Sequence, residues 1–294
     1  MDGVLLLDKP EGLTSADCVY KLRSILGTKR IGHCGTLDPL ATGLLPVCIG
    51  EATKFSNYLL NQDKTYEVGI EFGLETNTGD ITGEVVSRKD TFTLPSNLKQ
   101  RLLIFEGKQK QLPPMFSAIK VNGRPLYYWA RKGVYIFRNP REIEIKSINL
   151  IQNDQNSALI KVECTKGTYI RTLVESLGRN LNCYATVSSL RRISVGNFFI
   201  KEESCSLNES KTSILSKLLP CDALLEELKK VYINPEDTKK VRNGQSIDYN
   251  AHHKIKRLVR IYTDKELFIG LGEVTTDKLI PKRLLSTNGS IKRK

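Results

Sequence analysis

Polar and apolar residues alternate most regularly over residues 65–72, where Tyr66, Val68, Ile70 and Phe72 interleave with Thr65, Glu67, Gly69 and Glu71. A period of two predicts a half-buried β-strand. A turn-rich stretch, 76–83, and a short run at 84–87 follow it, and together they predict an antiparallel hairpin. Upstream, residues 3–7 read as a short strand. Val19, Leu22, Ile25 and Leu26 then recur at helical spacing, with Ser15 as candidate N-cap and Gly27 as the stop. Beyond a Gly-rich stretch at 32–50, Ala52, Phe55 and Leu59 predict a second helix. Leu98, Leu102, Leu103 and Phe105 predict a third, within 95–107. Residues 143–150 and 158–164 read as strands. A helix over 169–178 turns Ile170, Leu173, Val174 and Leu177 inward and ends at Gly178. The pattern resets near 218–222. The tail then alternates strand-like runs at 256–262 and 267–271 with turns at Asn243-Gly244 and Asp264, as in a small β module. Strands and helices without strict βα alternation give an α+β class.

A chain of 294 residues suits two domains. Its 45 Lys and Arg against 32 Asp and Glu leave a net charge of +13, which points to a polyanionic partner. No stretch reaches the roughly 18 to 20 apolar residues of a membrane span, and the N-terminus lacks a signal-peptide pattern. Seven Cys with no CxxC pair suit reduced thiols in a cytoplasmic protein. Three His (His33, His252, His253) argue against a metal site. Residues 108–138 interleave Lys108, Lys110, Lys120, Arg124, Arg131, Lys132 and Arg138 with Phe116, Tyr127, Tyr128, Trp129 and Tyr135. Cations beside aromatics can touch phosphates and stack on bases; alternatively, these aromatics pack inward and the cations are solvated.

Phosphate-loop, serine-triad and cysteine-nucleophile patterns are absent, apart from Cys34 beside His33. The remaining candidate is GHCGTLDPLATG, residues 32–43. There Pro39 pushes Asp38 toward an extended backbone that can project its carboxylate. The Asp-Pro dipeptide by itself also reads as a turn start, and His33 by itself as a hydrogen-bonded structural residue.

That segment resembles the active-site motif of the TruB family of pseudouridine synthases. So do LLLDKPEGLTS at 5–15, KTYEVGIEFG at 64–73, QLPPMFSAIKVNGRPLYYWARKG at 111–133, GTYIRTL at 167–173, SSLRR at 188–192 and LIPKRLL at 279–285. The blocks keep the family's order over nearly the whole chain. The resemblance implies a catalytic domain at 1–220, built on a mixed, largely antiparallel sheet with flanking helices. It also implies an RNA-contacting insertion at about 108–138 and a PUA-like β-barrel at 221–294. It implies isomerisation of uridine to pseudouridine, without a cofactor, at position 55 in the T arm of tRNA. In that reading Asp38 is the catalytic aspartate and Arg171 its basic partner. Tyr66 stacks on the target base, Tyr169 lies beside it as a candidate for proton transfer, and Leu190 walls the uracil pocket. His33 fills the space left by the flipped base, while Lys9 and Pro10 support the active-site loop. A monomer that needs no protein partner and no membrane is expected. The alternatives are a guide-RNA-dependent synthase and an RNA-binding folding factor.

Overall fold

A computed structural model describes residues 1–249 and 257–286. Its main sheet runs in the order Gly3–Lys9, Thr42–Ile49, Ala185–Val195, Lys64–Phe72, Ser157–Cys164, Arg141–Asn153 and Gly107–Gln111. Ile31–His33 pairs beside Thr42–Ile49, and Phe198–Phe199 beside Ala185–Val195. The sheet is antiparallel apart from Ala185–Val195 against Thr42–Ile49, which run parallel and meet at Arg191 with Thr42 and Arg192 with Gly43. Helices Ser15–Leu26, Leu98–Leu103 and Ile170–Asn180 join Leu22, Leu98 and Leu173 to the sheet residues Leu5, Val68, Ile160 and Val187 in one core. The expected α+β class and mixed sheet are present.

Several local expectations are corrected. The N-cap of the first helix is Thr14, not Ser15: its hydroxyl accepts from Asp17 N while the Asp17 carboxylate accepts from Thr14 N, a capping box. Gly27 is the left-handed stop expected of it. The second helix is split into a 3₁₀ turn, Gly50–Phe55, and a short α-helix, Ser56–Leu60. Lys64–Phe72 forms no hairpin with the run after residue 84. Val85–Arg88 pairs with Leu74–Thr76, and Lys64–Phe72 lies centrally between Ala185–Val195 and Ser157–Cys164. The Gly-rich stretch conceals Thr42–Ile49, and SSLRR lies in Ala185–Val195. Thr42–Ile49 is buried on both faces and so lacks the alternation that betrays a half-exposed strand; Ala185–Val195 carries bulges at Val187/Ser189 and Arg192/Ser194 and buries the polar Thr186, Arg192 and Ser194, which breaks its apolar period. The helix expected over 169–178 spans Ile170–Asn180, continuing past Gly178.

In the tail, Lys230–Ile233, Arg257–Thr263, Phe268–Val274, Lys278–Leu284 and Ile247–Asp248 form a curled five-stranded half-barrel of PUA-like type, in that order. A helix, Pro235–Arg242, capped by Asn234 with Pro at its first position, precedes the Asn243-Gly244 turn. His252, His253 and Lys256 lie outside the described residues. Among the described residues, no helix is long and apolar enough to cross a membrane.

The tail is joined to the rest around buried Glu51. Its carboxylate pairs with Arg30 and with Lys54 (2.7 Å) and accepts from Ser286 N (2.6 Å), while Lys54 donates to Leu284 O at 2.7 Å. Leu271 and Leu285 pack with Phe55, Val4 and Leu224 beside it. Burial by itself would raise the Glu51 pKa, but the hydrogen bonds from Lys54, Ser286 and Arg30 override it and hold the carboxyl at about 2, against an ordinary 4.5. A depressed folded-state pKa contributes stability that is complete above the ordinary value and lost as pH falls toward the folded one. Glu51→Gln is therefore expected to cost about 1.5–3 kcal/mol at neutral pH in urea unfolding. The gap to wild type should narrow as the pH falls below 4.5.

Candidate active site

The loop from Cys34 to Ala41 has no regular structure, so its carbonyls and amides need partners from elsewhere. Lys9, fully buried, donates to Pro10 O (2.9 Å), Leu13 O (2.5 Å) and Pro39 O (3.3 Å). Ser15 Oγ accepts from Leu37 N at 2.8 Å and lies 3.2 Å from Leu37 O. Arg192, 1% exposed, donates from Nε to Leu44 O (2.7 Å) and through its other nitrogens to Gly35 O (3.3 Å) and Thr36 O (3.5 Å). Burial lowers the pKa of both cations, the cost of holding them beneath the loop. Pro10 itself is exposed and contributes only its carbonyl.

Asp38 projects from this loop, and its Oδ2 lies 3.0 Å from Arg171 Nε. The Asp38 side chain keeps 36% of its exposure, whereas Arg171 keeps 5%. A carboxylate reachable from solvent is thus fixed to a guanidinium that is not. Arg171 also donates from Nη1 to Thr78 O (2.6 Å) and from Nη2 to Phe116 O (2.7 Å). Burial pushes the Asp38 carboxyl above its ordinary 3.8, Arg171 pulls it back, and the nearby charge of Asp80 adds to the rise. Asp80, remote from Asp38 in sequence, is thus a second carboxylate in its neighbourhood. Asp80 accepts from Thr78 Oγ1 (3.0 Å), Thr82 N (3.1 Å) and Thr82 Oγ1 (2.5 Å), and so organises its own turn. Gly79 in that turn has φ +77°, and a Cβ there would come 3.1 Å from Arg171 Cβ and 2.4 Å from Glu175 Oε1.

The sheet register brings the other residues close. Arg192 lies opposite Tyr66 and Leu190 opposite Val68, so alternation puts Tyr66, Val68, Leu190 and Arg192 on one face. Tyr66 and Leu190 are buried. Desolvation raises the Tyr66 phenol to about 12, although the adjacent Arg192 opposes the rise, and the Asp38 charge also reaches it. Tyr169 caps the helix that carries Arg171. Its N–H donates to Gln111 Oε1 (2.7 Å) and its carbonyl accepts from Gln111 Nε2 (3.0 Å). Burial raises its phenol as well, which lies within the field of Asp38 and Arg171. His33 ends its strand beside Arg192, and desolvation and that cation lower its pKa, favouring the neutral ring.

The structure thus gathers Asp38, Arg171, Tyr66 and Tyr169, with Leu190 on Tyr66's sheet face and His33 beside Arg192. Sequence reading had missed Arg192, Ser15, Gln111 and Asp80 as parts of the site. Arg192 and Gln111 stood inside quoted motifs, but nothing in their spacing says what they hold. In the 108–138 segment, Tyr127, Tyr135 and Phe137 are exposed. Arg131 lies over Tyr127 (5.6 Å), Arg138 over Tyr135 (4.8 Å), and Lys132 and Arg124 over Tyr128 (4.7 and 5.1 Å). These rings are not core. A cavity of about 460 Å³ lies between Gln109–Met115 and the Thr172–Arg179 side of the helix, and Asp38 is not on its wall. Among the described residues, no three His, Cys, Asp or Glu gather as metal ligands would.

The mixed α+β sheet followed by a curled C-terminal sheet is shared with a solved structure: a Cbf5–Nop10–Gar1 complex is similar at TM-score 0.72 and 26% identity, covering 97% of this chain and 84% of that one. The family model for the TruB family pseudouridylate synthase N-terminal domain matches residues 23–170. Models for the tRNA pseudouridylate synthase B C-terminal domain and the pseudouridine synthase II TruB C-terminal region match 171–226 and 230–285. A tRNA pseudouridine synthase B from Thiobacillus denitrificans is 41% identical over 98% of this chain and 97% of its own length. One from Clostridium kluyveri is 42% identical over 92% and 95%. The chain belongs to the TruB family of pseudouridylate synthases and is an isomerase.

Arg171→Met removes one cation from three acceptors and is expected to cost about 2–4 kcal/mol in urea unfolding. Arg171→Lys should recover only part, because an ammonium on a flexible stem cannot span the fork.

Proposed function

We propose that this enzyme isomerises the uridine at position 55 in the T arm of tRNA, working without a guide RNA, with Asp38 as its catalytic carboxylate. The observation that carries the reading is the 3.0 Å pair between solvent-reachable Asp38 and buried Arg171. Support for the substrate comes from relatives near 40% identity that bear the name tRNA pseudouridine synthase B.

The reaction breaks the bond from ribose C1′ to uracil N1 and forms one from C1′ to C5. The C5 hydrogen leaves as a proton and N1 ends protonated, so there is no net redox change. In this reading the Asp38 carboxylate attacks the nucleotide or acts as a base at the ribose, and Arg171 fixes its direction. Tyr66 stacks on the flipped uracil, Leu190 walls the pocket, and Tyr169 lies where a proton must move. Neutral His33 occupies the space that the base vacates, which suits an RNA contact better than a proton shuttle. Lys9 and Pro10 support the loop. The catalytic unit spans 1–220, the exposed rings and cations of 108–138 close on the RNA, and 221–294 adds a second RNA contact.

The test is tritium release from a T-arm stem-loop labelled at uridine C5. Wild type should release tritium, and Asp38→Asn should abolish release while leaving RNA affinity within about threefold at matched salt, because phosphate contacts dominate affinity. Release retained by Asp38→Asn would overturn the assignment. Tight binding without release by wild type would favour a folding factor or a guided enzyme.

Two further outcomes are expected. Because Asp38 must be ionised and its pKa is raised, the rate should fall on acidification through a midpoint above 3.8, read from a pH–rate profile. RNA affinity should drop steeply with salt, log Kd rising linearly with log salt concentration.

A further inference from the structure

Arg192 is buried to 1% exposure, and no carboxylate among the described residues forms an ion pair with it. Its neighbour in sequence, Arg191, is paired with Asp8 at 2.8 Å. A buried guanidinium without a carboxylate is expensive to hold, so what it touches is informative. Its donors go to the Asp38 loop and the strand that follows it: Leu44 O at 2.7 Å, Gly35 O at 3.3 Å and Thr36 O at 3.5 Å. On the same sheet face its cross-strand partner is Tyr66.

We propose that Arg192 is a positioning residue for the isomerisation, a clamp that fixes the Asp38 loop and the Tyr66 ring in one frame. The inference rests on the reading of Asp38 and Tyr66 given above. The argument is geometric. Asp38 stands on a loop with no ladder of its own, while Tyr66 stands on the central strand of the sheet. Arg192 donates to that loop and stands directly across from Tyr66, on a strand paired both with Thr42–Ile49, which follows the loop, and with Lys64–Phe72, which carries Tyr66. The planar fork can reach several acceptors at fixed angles, whereas a lysine ammonium can satisfy only part of the set. Arg171 fixes where the Asp38 carboxylate points; Arg192 fixes how the loop beneath it lies relative to the base-stacking ring. A nucleophile displaced by about 1 Å loses on the order of 100-fold in rate while binding is untouched.

The experiment uses the full chain and the C5-tritiated stem-loop, comparing wild type, Asp38→Asn, Arg192→Lys and Gly35→Ala. Gly35 has φ +124°, and an added Cβ would meet Arg192 Nη1 at 3.4 Å, so Gly35→Ala disturbs the same clamp from the loop side and keeps the cation. Expected for Arg192→Lys is a single-turnover rate at least tenfold below wild type with RNA Kd and KM within threefold, and for Gly35→Ala a smaller loss of the same kind. Arg192→Lys retaining wild-type rate, or losing activity only through KM or RNA affinity, would overturn the proposal. If Arg192→Lys does not fold, Gly35→Ala decides: a folded variant with unchanged rate overturns it. Asp38→Asn reports separately on the underlying reading, since release by that variant sinks the Asp38 assignment whatever Arg192 does.

Discussion

Everything at the centre of this molecule is arranged around one guanidinium. Arg171 leaves the first turn of its helix and bonds three pieces of chain remote in sequence: the Asp38 loop, the turn at Thr78 and the basic segment at Phe116. Two of its acceptors are uncharged carbonyls, so only one carboxylate answers the charge. That carboxylate is also far more open to solvent than the guanidinium that holds it. Held at one end by a buried cation and open at the other, Asp38 can be aimed without being walled off.

The opposing electrostatic demands on Asp38 follow from this. Burial and Asp80 favour its neutral form, Arg171 the charged one, and the net result is a raised pKa. A base or nucleophile held so is more proton-avid than a free carboxylate, at the cost of being lost sooner on acidification. The loop that carries it is held from below by Lys9, Ser15 and Arg192 rather than by its own hydrogen-bond ladder. Rigid polar support of this sort lets an irregular loop keep a fixed geometry.

A second polar centre, around Glu51, does for the tail what Arg171 does for the active site. Arg30, Lys54 and Ser286 N converge on one buried carboxylate, and the apolar cluster of Phe55, Leu271 and Leu285 seals the joint. The same device, one charge answering several distant segments, serves in one place to position chemistry and in the other to dock a module.

What the sequence by itself determined was whatever has local cause. The alternation at residues 65–72 is a strand because its side chains must face two environments, the apolar spacing at Val19, Leu22 and Leu26 is a helix, and Gly27 ends it in the left-handed region. The TruB motifs named the family and pointed to Asp38. Thr42–Ile49 escaped because a strand buried on both faces carries no alternation, and Ala185–Val195 because its two bulges and its buried Thr186, Arg192 and Ser194 break the apolar period. The partner of Val85–Arg88 was misassigned because strand pairing is non-local: adjacency in sequence favoured the wrong neighbour. The contact of Asp38 with Arg171, the approach of Asp80 and the clamp of Arg192 were decided by tertiary structure. Each joins residues tens to more than a hundred positions apart, and only the closing of the sheet sets the few ångströms between them.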